Sequence, residues 1–295
     1  MNHTIFFRLI SKYILMDSDV KIPNEGPKDG KKVFKKLRTC SRTFFYILNR
    51  EFGHVKEHEE RASDVLAGGI MQEGHQCGML WGASLAIGAE AFRRCTDKNQ
   101  AIAVAVYATQ KVMESFSERE HTINCREITH CDFSSKLSMA KYFFTGRFLH
   151  CFNLAEEWAP EAVSTAIEGL SKNKNKPSKA CLSCSTEVAK KMGASDEESI
   201  MVAGFAGGLG LSGAACGALA AAIWMKSLQW CREVATKSSM DNPYAKETLD
   251  RFYQFTDSKI LCSQITGKQF NNIEEHTRFM NNSGCEALIN VLSNS

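Results

Sequence analysis

The sequence predicts an all-α protein whose two homologous multi-helix halves pack together. Alternating strand patterns are nearly absent from its 295 residues, and apolar residues recur with helical spacing along most of the chain. The third observation is that cysteines recur at matched positions in the two halves. In each half a glycine-rich turn leads into a helix that we expect to begin at a cysteine.

The N-terminal part divides into an arm and a first helical repeat. Residues 16–31 contain two of the five prolines and have no apolar periodicity, so we predict a flexible arm over residues 1–31, with Met16 as an alternative start. Residues 32–172 form the first cysteine-rich repeat, in which 125–133 is irregular. Its helical patterns cover residues 33–52, 57–71, 77–94, 101–116, 136–144 and 159–170. A strand at the beginning of 101–116 is an alternative that the length of this segment disfavours.

A short basic segment separates the two repeats. Residues 173–179 contain Pro177 among lysines and asparagines, which is typical of a linker. Residues 180–295 are predicted to form the second cysteine-rich repeat. Its helical patterns cover residues 180–192, 196–204, 216–236, 244–255 and 273–292.

Four pairs of cysteines carry the internal repeat. The pairs are Cys40 with Cys184, Cys77 with Cys216, Cys125 with Cys262, and Cys151 with Cys285. Their separations fall steadily from 144 to 139, 137 and 134 residues, as small loop deletions in the second copy would produce. Scattered core cysteines would not match in this way, so we interpret the repeat as a duplication.

The first copy of the glycine-rich turn disfavours two other interpretations of the second copy. Residues 208–213 match the G-x-G-x-x-G pattern of dinucleotide-binding loops, but a helical pattern precedes them and the first copy has Met71 in place of the middle glycine. The uncharged 27-residue stretch around this turn is long enough to cross a bilayer. However, six glycines interrupt it, and the first copy contains Glu73 and His75, which are costly in hydrocarbon.

A cysteine at the beginning of a helix favours thiol chemistry. Cys77 and Cys216 would lie beside free backbone N–H groups and the positive end of the helix dipole, which stabilise a thiolate. The preceding glycines permit close backbone approach and leave room for a partner cysteine, a metal or a ligand. His75 is a candidate base or ligand beside Cys77. The alternative is that these cysteines are small apolar core residues.

Other cysteine and histidine patterns are less specific. Cys181 and Cys184 form a C-x-x-C pair without the second pair of a zinc ribbon or the βαβ context of thioredoxin, so they are a candidate redox pair only. Seven of the eight histidines precede residue 151. A metal site in the first half would therefore combine imidazole with thiolate, whereas one in the second half would use mostly thiolate.

Composition and net charge limit the cellular location and the classes of binding partner that we expect. Twelve cysteines are too few for a disulfide scaffold, and residues 1–15 lack the features of a signal peptide, so we expect a reducing, cytoplasmic location. The net charge of +3 and the basic run at 28–36 are not enough to predict a nucleic-acid partner. We expect a redox partner protein of unknown identity; a membrane is disfavoured, and a homo-oligomer stays open.

The second half resembles the C_GCAxxG_C_C family of small bacterial and archaeal proteins. The family has an early cysteine, a glycine-rich turn leading to a Cys-Gly-Ala motif, and two later cysteines. These positions read Cys184, residues 207–218, Cys262 and Cys285 here. The first half is similar more loosely, and the resemblance covers residues 35–295. It implies redox activity.

Both halves depart from the family motif without losing a cysteine. Ala221 replaces its last glycine in the second half, and Met79 replaces its alanine in the first. Four glycines beside the predicted helix starts are candidates for contact with a cofactor. They are Gly74, Gly78, Gly213 and Gly217.

The resemblance and the repeated cysteines lead to two versions of a redox hypothesis. In the disulfide version Cys77 and Cys216 attack, and Cys125 and Cys262 are the resolving thiols. In the metal version each half holds an iron–sulfur cluster or another metal for electron transfer, through four cysteines. The ligand sets are Cys40, Cys77, Cys125 and Cys151, and Cys184, Cys216, Cys262 and Cys285. An oxidoreductase fits either version, and the alternative function is a non-catalytic helical binding or assembly module with structural cysteines.

Overall fold

The computed structural model describes residues 27–172, 180–234, 240 and 242–294. These residues form fifteen α-helices and two short 3-10 turns, and their only β-type pairings are two isolated bridges. The prediction of an all-α fold is therefore confirmed. The predicted linker and residues 1–26 of the predicted arm lie outside the described residues.

The first half contains eight helices. They are α1 (Gly30–Leu37), α2 (Cys40–Glu51), α3 (Glu57–Ala62), α4 (Gly78–Arg94), α5 (Lys98–Glu120), α6 (Cys125–Thr129), α7 (Lys136–Phe144) and α8 (Phe148–Lys172). A 3-10 turn at Ser63–Leu66 follows α3. Asp97 caps α5 by accepting a hydrogen bond from the backbone N–H of Gln100, so the helix begins before the apolar pattern does.

The second half repeats this order with seven helices. They are α9 (Cys184–Lys191), α10 (Asp196–Met201), α11 (Gly217–Glu233), α12 (Pro243–Phe255), α13 (Cys262–Thr266), α14 (Ile273–Asn281) and α15 (Glu286–Ser293). A 3-10 turn at Ala203–Phe205 follows α10. Ser195 and Glu198 form a capping box at the start of α10, and Asn242 caps α12 with Pro243 as its first residue.

Several helical segments differ from the prediction. The segment 33–52 is two helices, because Arg38 has a left-handed φ of 75° and Thr39 is the extended N-cap of α2. The segment 273–292 is divided between α14 and α15, where Ser283 has a φ of 57°. The helix predicted over 57–71 stops at Ala62, and the strand suggested near residue 101 is part of α5.

The two halves pack reciprocally. Helix α4 packs on α2 of its own half and on α10 and the Ala203–Phe205 turn of the other half. Helix α11 packs on α9 of its own half and on α3 and the Ser63–Leu66 turn of the first half. The rings of Trp81 and Phe205 meet edge to face across this contact, with centroids 4.8 Å apart. A single hydrophobic core therefore runs through both halves.

Within the described part of the chain, no helix combines the length and the apolar character needed to cross a membrane.

Candidate redox site

A left-handed turn with the same backbone pattern precedes each cysteine helix. Positive φ angles occur at six matched positions, 139 residues apart, in the two copies. They are residues 68–72 and 74, and residues 207–211 and 213. Non-glycine residues such as Ile70 and Leu209 pay about 1–2 kcal/mol each for this conformation. Maintaining strained backbone in both copies is typical of a turn that positions a functional group.

The segment that follows each left-handed turn forms backbone hydrogen bonds with a second segment of the same half. This second segment precedes α6 in the first half and α13 in the second half. In the first half the N–H of Cys77 donates to the carbonyl of Ile123 (2.7 Å), and the N–H of Cys125 donates to that of His75 (2.6 Å). In the second half Cys216 and Cys262 make the matching bonds, of 2.9 and 2.6 Å. The cysteines predicted as attacking and resolving thiols therefore lie on paired backbone segments, and their roles stay a prediction.

Seven of the eight predicted site cysteines lie at helix N-termini. Cys40 and Cys184 are the first residues of α2 and α9, while Cys77 and Cys216 are the N-caps of α4 and α11. Cys125, Cys262 and Cys285 occupy similar positions on shorter helices, and Cys151 lies inside α8. Because α2 and α4 both direct their positive ends toward the same pair of sulfurs, this place favours negative charge.

Cys40 and Cys77 form the most direct thiol contact of the first half. The Cys77 thiol donates a hydrogen bond to the Cys40 sulfur, which also receives the backbone N–H groups of Gly68 and Ser41. These bonds lower the pKa of Cys40 despite its burial. The same hydrogen bond and burial raise the pKa of Cys77 well above its usual value. The lowered pKa makes Cys40 the candidate thiolate of the first half, beside Cys77, which the sequence predicted as the attacking thiol.

The other two predicted cysteines of the first half, Cys125 and Cys151, lie near this pair and have raised pKa values. Burial raises the pKa of Cys125, and it raises that of Cys151 to about 12. The Tyr142 hydroxyl lies 3.7 Å from the Cys151 sulfur. Tyr142 was not a predicted site residue, because its contact with Cys151 depends on how α7 packs on α8. Cys131, which is buried near Cys125, was also outside the predicted site residues.

The four predicted cysteines of the second half line one cavity. The cavity is small, with room for about one water molecule, and Cys184, Cys216, Cys262 and Cys285 share its wall with His276. Burial raises the pKa of Cys184 even though the N–H groups of Gly207, Ser185 and Ala218 donate to its sulfur. Burial also raises the pKa of Cys216 to about 12. All four cysteines of the second set thus have raised pKa values.

The fourth cysteine pair is displaced by one helical turn. The N-caps Ser135 and Asn272 and the left-handed residues Gly146 and Ser283 match at a separation of 137 residues. At that separation Cys285 corresponds to residue 148, three residues before Cys151. A shift of three residues keeps both sulfurs on similar faces of their helices.

The four glycines predicted to contact a cofactor lie close to atoms of other segments of the chain. A Cβ atom at Gly78 would lie 2.5 Å from the Cys40 sulfur, and one at Gly217 would overlap the carbonyl oxygen of Phe205. Gly74 and Gly213 have φ angles of 83° and 75° and lie against Arg126 and Ser263. Contact of these glycines with a cofactor stays a prediction.

The described residues contain no group of three or more Cys, His, Asp or Glu side chains arranged to hold a metal ion. All twelve cysteines are free thiols. His75 bonds to the hydroxyl of Tyr253 in the other half (3.1 Å), and burial lowers its pKa to about 4. Its hydrogen bond is thus to a tyrosine and not to Cys77.

Comparison with known proteins identifies one family. The family model described as "Putative redox-active protein (C_GCAxxG_C_C)" matches the chain twice, over residues 38–195 and 180–293. The two matches agree with a tandem duplication. No curated protein and no solved structure matches the chain.

Proposed function

The chain belongs to the C_GCAxxG_C_C family, and from that premise we propose that it exchanges thiols and disulfides through paired cysteines. Cys40 and Cys77 are the working pair of the first half. The observation that carries this proposal is the hydrogen bond between their thiols at the start of α2 and α4. A thiol pair in contact, one member of which has a lowered pKa, is the arrangement that thiol–disulfide exchange requires.

The order of attack follows from pKa and access. Residue Cys40 keeps part of its surface accessible, although protein atoms surround its sulfur, whereas Cys77 is buried. The Cys40 thiolate attacks one sulfur of an external disulfide, bonds to it and displaces the other sulfur as a thiolate. Cys77 loses its proton, attacks the Cys40 sulfur and displaces the second thiolate. Two electrons pass from the Cys40–Cys77 dithiol to the external disulfide, whose two sulfurs take up the two protons.

Cys184 and Cys216 are the corresponding pair of the second half. They have the same positions on α9 and α11, and their sulfurs share the backbone N–H of Ala218 as a donor. Because burial raises both pKa values, this pair reacts more slowly than the first.

Alkylation rates of individual cysteines test the proposal. The reduced protein is treated with iodoacetamide over a range of pH, and each cysteine is quantified by peptide mass spectrometry. We expect Cys40 to react fastest and with a pKa below that of an ordinary thiol. Cys77→Ala removes the hydrogen-bond donor, so it should raise the pKa of Cys40 and slow its alkylation. Cys95→Ser is the matched control, because Cys95 is a partly exposed cysteine outside both clusters.

Oxidation identifies the disulfide that forms. Treatment with oxidised glutathione should produce a Cys40–Cys77 disulfide, and a Cys77–Cys125 disulfide would support the pairing predicted from sequence instead. If Cys40 reacts no faster than Cys95 and no disulfide forms in either half, the proposal is wrong. The protein would then be a binding or assembly module whose cysteines serve only in packing.

A metal centre is the second candidate, favoured by one observation. Four cysteines of the second half line a single cavity, and thiolate sulfur is the donor that iron–sulfur clusters and zinc prefer. In the described residues, however, no three potential ligands are arranged to hold a metal ion. The sulfurs would have to move together to bind one, so we derive no reaction step from a metal.

Anaerobic purification distinguishes the two candidates. Iron, zinc and sulfide are measured together with the visible spectrum and the number of titratable thiols. Stoichiometric metal that is lost in Cys262→Ser would favour the metal centre. Colourless, metal-free protein with all twelve thiols titratable would exclude it.

A further inference from the structure

Exposed large apolar side chains of the described residues cluster in one place. Four of the seven such side chains lie between residues 137 and 149, on α7 and the start of α8. Their exposed fractions are 83% for Leu137, 56% for Phe143, 92% for Phe144 and 46% for Leu149. We call these four residues the α7 patch. A contiguous exposed apolar patch marks an interaction surface more often than isolated apolar residues do.

The α7 patch is surrounded by positive charge. The segment from residue 136 to residue 149 contains Lys136, Lys141 and Arg147 and no acidic residue. Two acidic residues near the ends of this segment already have partners. Asp132 pairs with Arg126 (3.2 Å), and Glu120 pairs with His150 (2.9 Å). The surface therefore combines protruding apolar groups with uncompensated basic groups.

The internal repeat shows that the fold does not require this patch. Helix α14 has the same length and cap position as α7. At the matched positions α14 has Glu274 in place of Leu137 and Asn281 in place of Phe144, and both are exposed. Since the second half folds the same helix with polar residues, the apolar residues of the first half serve something other than packing.

We propose that the α7 patch binds the surface of an anionic lipid bilayer. Leu137, Lys141 and Phe144 share one face of α7, since residues four and seven positions apart on a helix lie above one another. Apolar side chains of such a face enter the boundary between headgroups and acyl chains, while the lysine stems let the charges stay among the anionic headgroups. The sequence disfavours a segment that crosses the bilayer, whereas contact of one helix face with the bilayer surface needs no such segment.

A lipid surface fits the patch better than a protein surface. Phe144 and Leu137 protrude with more than four fifths of their surface in water, and a bilayer accepts protruding groups without a matching pocket. A second copy of the chain would bring Lys136, Lys141 and Arg147 against their own counterparts. Like charges placed together oppose such contact.

Vesicle sedimentation tests the proposal. Full-length protein is mixed with sucrose-loaded vesicles of phosphatidylcholine, with or without about one third phosphatidylserine. We expect binding to the anionic vesicles only, weakened by salt. The double variant Leu137→Ser/Phe144→Ser should bind at least about tenfold more weakly, since both buried apolar groups are lost. The double variant Lys136→Glu/Lys141→Glu should lose affinity for the anionic vesicles, by roughly fivefold or more for each charge reversed.

A phenylalanine outside the α7 patch provides the control. Phe255→Ser removes an exposed phenylalanine of the second half and should bind like the unchanged protein. Residues 1–26 also contain basic and apolar residues, so only the difference between full-length variants is attributed to the patch. No binding of the unchanged protein, or equal binding of the double variant, overturns the proposal. Self-association that Phe144→Ser abolishes would make a second copy the occupant.

Discussion

At the scale of single residues, the acidity of Cys40 depends on a neighbour without a side chain. Gly78 is the first residue of α4, and its missing Cβ leaves the space in which the Cys40 sulfur meets the Cys77 thiol. Cys184 of the second half has the same helix position and similar N–H donors but lacks this thiol hydrogen bond. One difference between the two cysteine clusters is thus this hydrogen bond between two sulfurs.

Gly78→Ala should make Cys40 a slower nucleophile. The new Cβ would lie 2.5 Å from the Cys40 sulfur, so the sulfur has to move and the bond from Cys77 weakens. We expect the pKa of Cys40 to rise and its alkylation at pH 7 to slow severalfold. Gly53→Ala is the control, because Gly53 has a φ of 85° but no atom within 4 Å of an added Cβ. Unchanged alkylation in Gly78→Ala would mean that the sulfur is not confined there.

His276 should make stability depend on pH. Burial lowers its pKa to about 4 in the folded state, from about 6.5 in an unfolded chain. Between these values the unfolded state binds the extra proton, so the free energy of unfolding falls as pH decreases from about 6.5 to about 4. The slope from this residue is roughly 1.4 kcal/mol per pH unit.

Urea unfolding at several pH values measures this effect. In His276→Gln we expect a shallower loss of stability on acidification, with part of the slope retained by His75, whose pKa is also lowered to about 4. Identical slopes for His276→Gln and the unchanged protein would contradict the assignment.

At the scale of elements, the left-handed turn fixes the direction in which each cysteine helix begins. Gly208 has a φ of 84°, and a Cβ atom there would lie 2.6 Å from the carbonyl oxygen of Ala214. Ala214 is the residue whose carbonyl bonds to the N–H of Cys262. The turn is thus tied directly to the pairing that holds Cys216 beside Cys262.

Comparing Gly208→Ala with Gly193→Ala distinguishes two costs of an added Cβ atom, steric overlap with neighbouring atoms and backbone strain at positive φ. Gly193 has nearly the same φ, 83°, but nothing lies within 4 Å of its added Cβ. We expect Gly193→Ala to cost about 1–2 kcal/mol of unfolding free energy through strain alone. Gly208→Ala should cost about 1–3 kcal/mol more because the turn is overpacked. Equal urea midpoints for the two variants would show that the turn can relax.

Local sequence predicted the cysteine helices well because glycine and cysteine signal a turn and a helix start directly. It did not predict the break at Arg38 or at Ser283, since both adopt left-handed backbone without being glycine. It grouped Cys40 with the other site cysteines but could not pair it with Cys77, because that contact depends on how α2 packs on α4. Features set by tertiary packing were therefore the ones that sequence reasoning missed.

At the scale of the whole molecule, each half covers the core of the other. Trp81 of the first half contacts Phe205 of the second, and Gly88 leaves room for the carbonyl oxygen of Met201. Because the halves share one core, neither can lose its structure without exposing apolar surface of the other.

Both halves should unfold in one cooperative transition. We expect fluorescence of Trp81, in a variant with Trp158→Phe, Trp224→Phe and Trp230→Phe, to give the same urea midpoint as circular dichroism. The reciprocal variant that keeps only Trp224 should agree with its own circular dichroism in the same way. Separate midpoints within either variant would indicate that the halves unfold independently.

The reciprocal packing also bears on how such a chain arises. A contact in which each copy contributes the same two surfaces is the geometry of an isologous dimer, and here the two subunits are fused. A family member with one copy of the repeat would have to borrow the covering helix from a second molecule, so its folding would depend on concentration. Joining the copies makes that encounter intramolecular and allows the two copies to diverge. In this chain the pKa of Cys40 is lowered in the first copy, and the four cysteines of the second copy line one cavity.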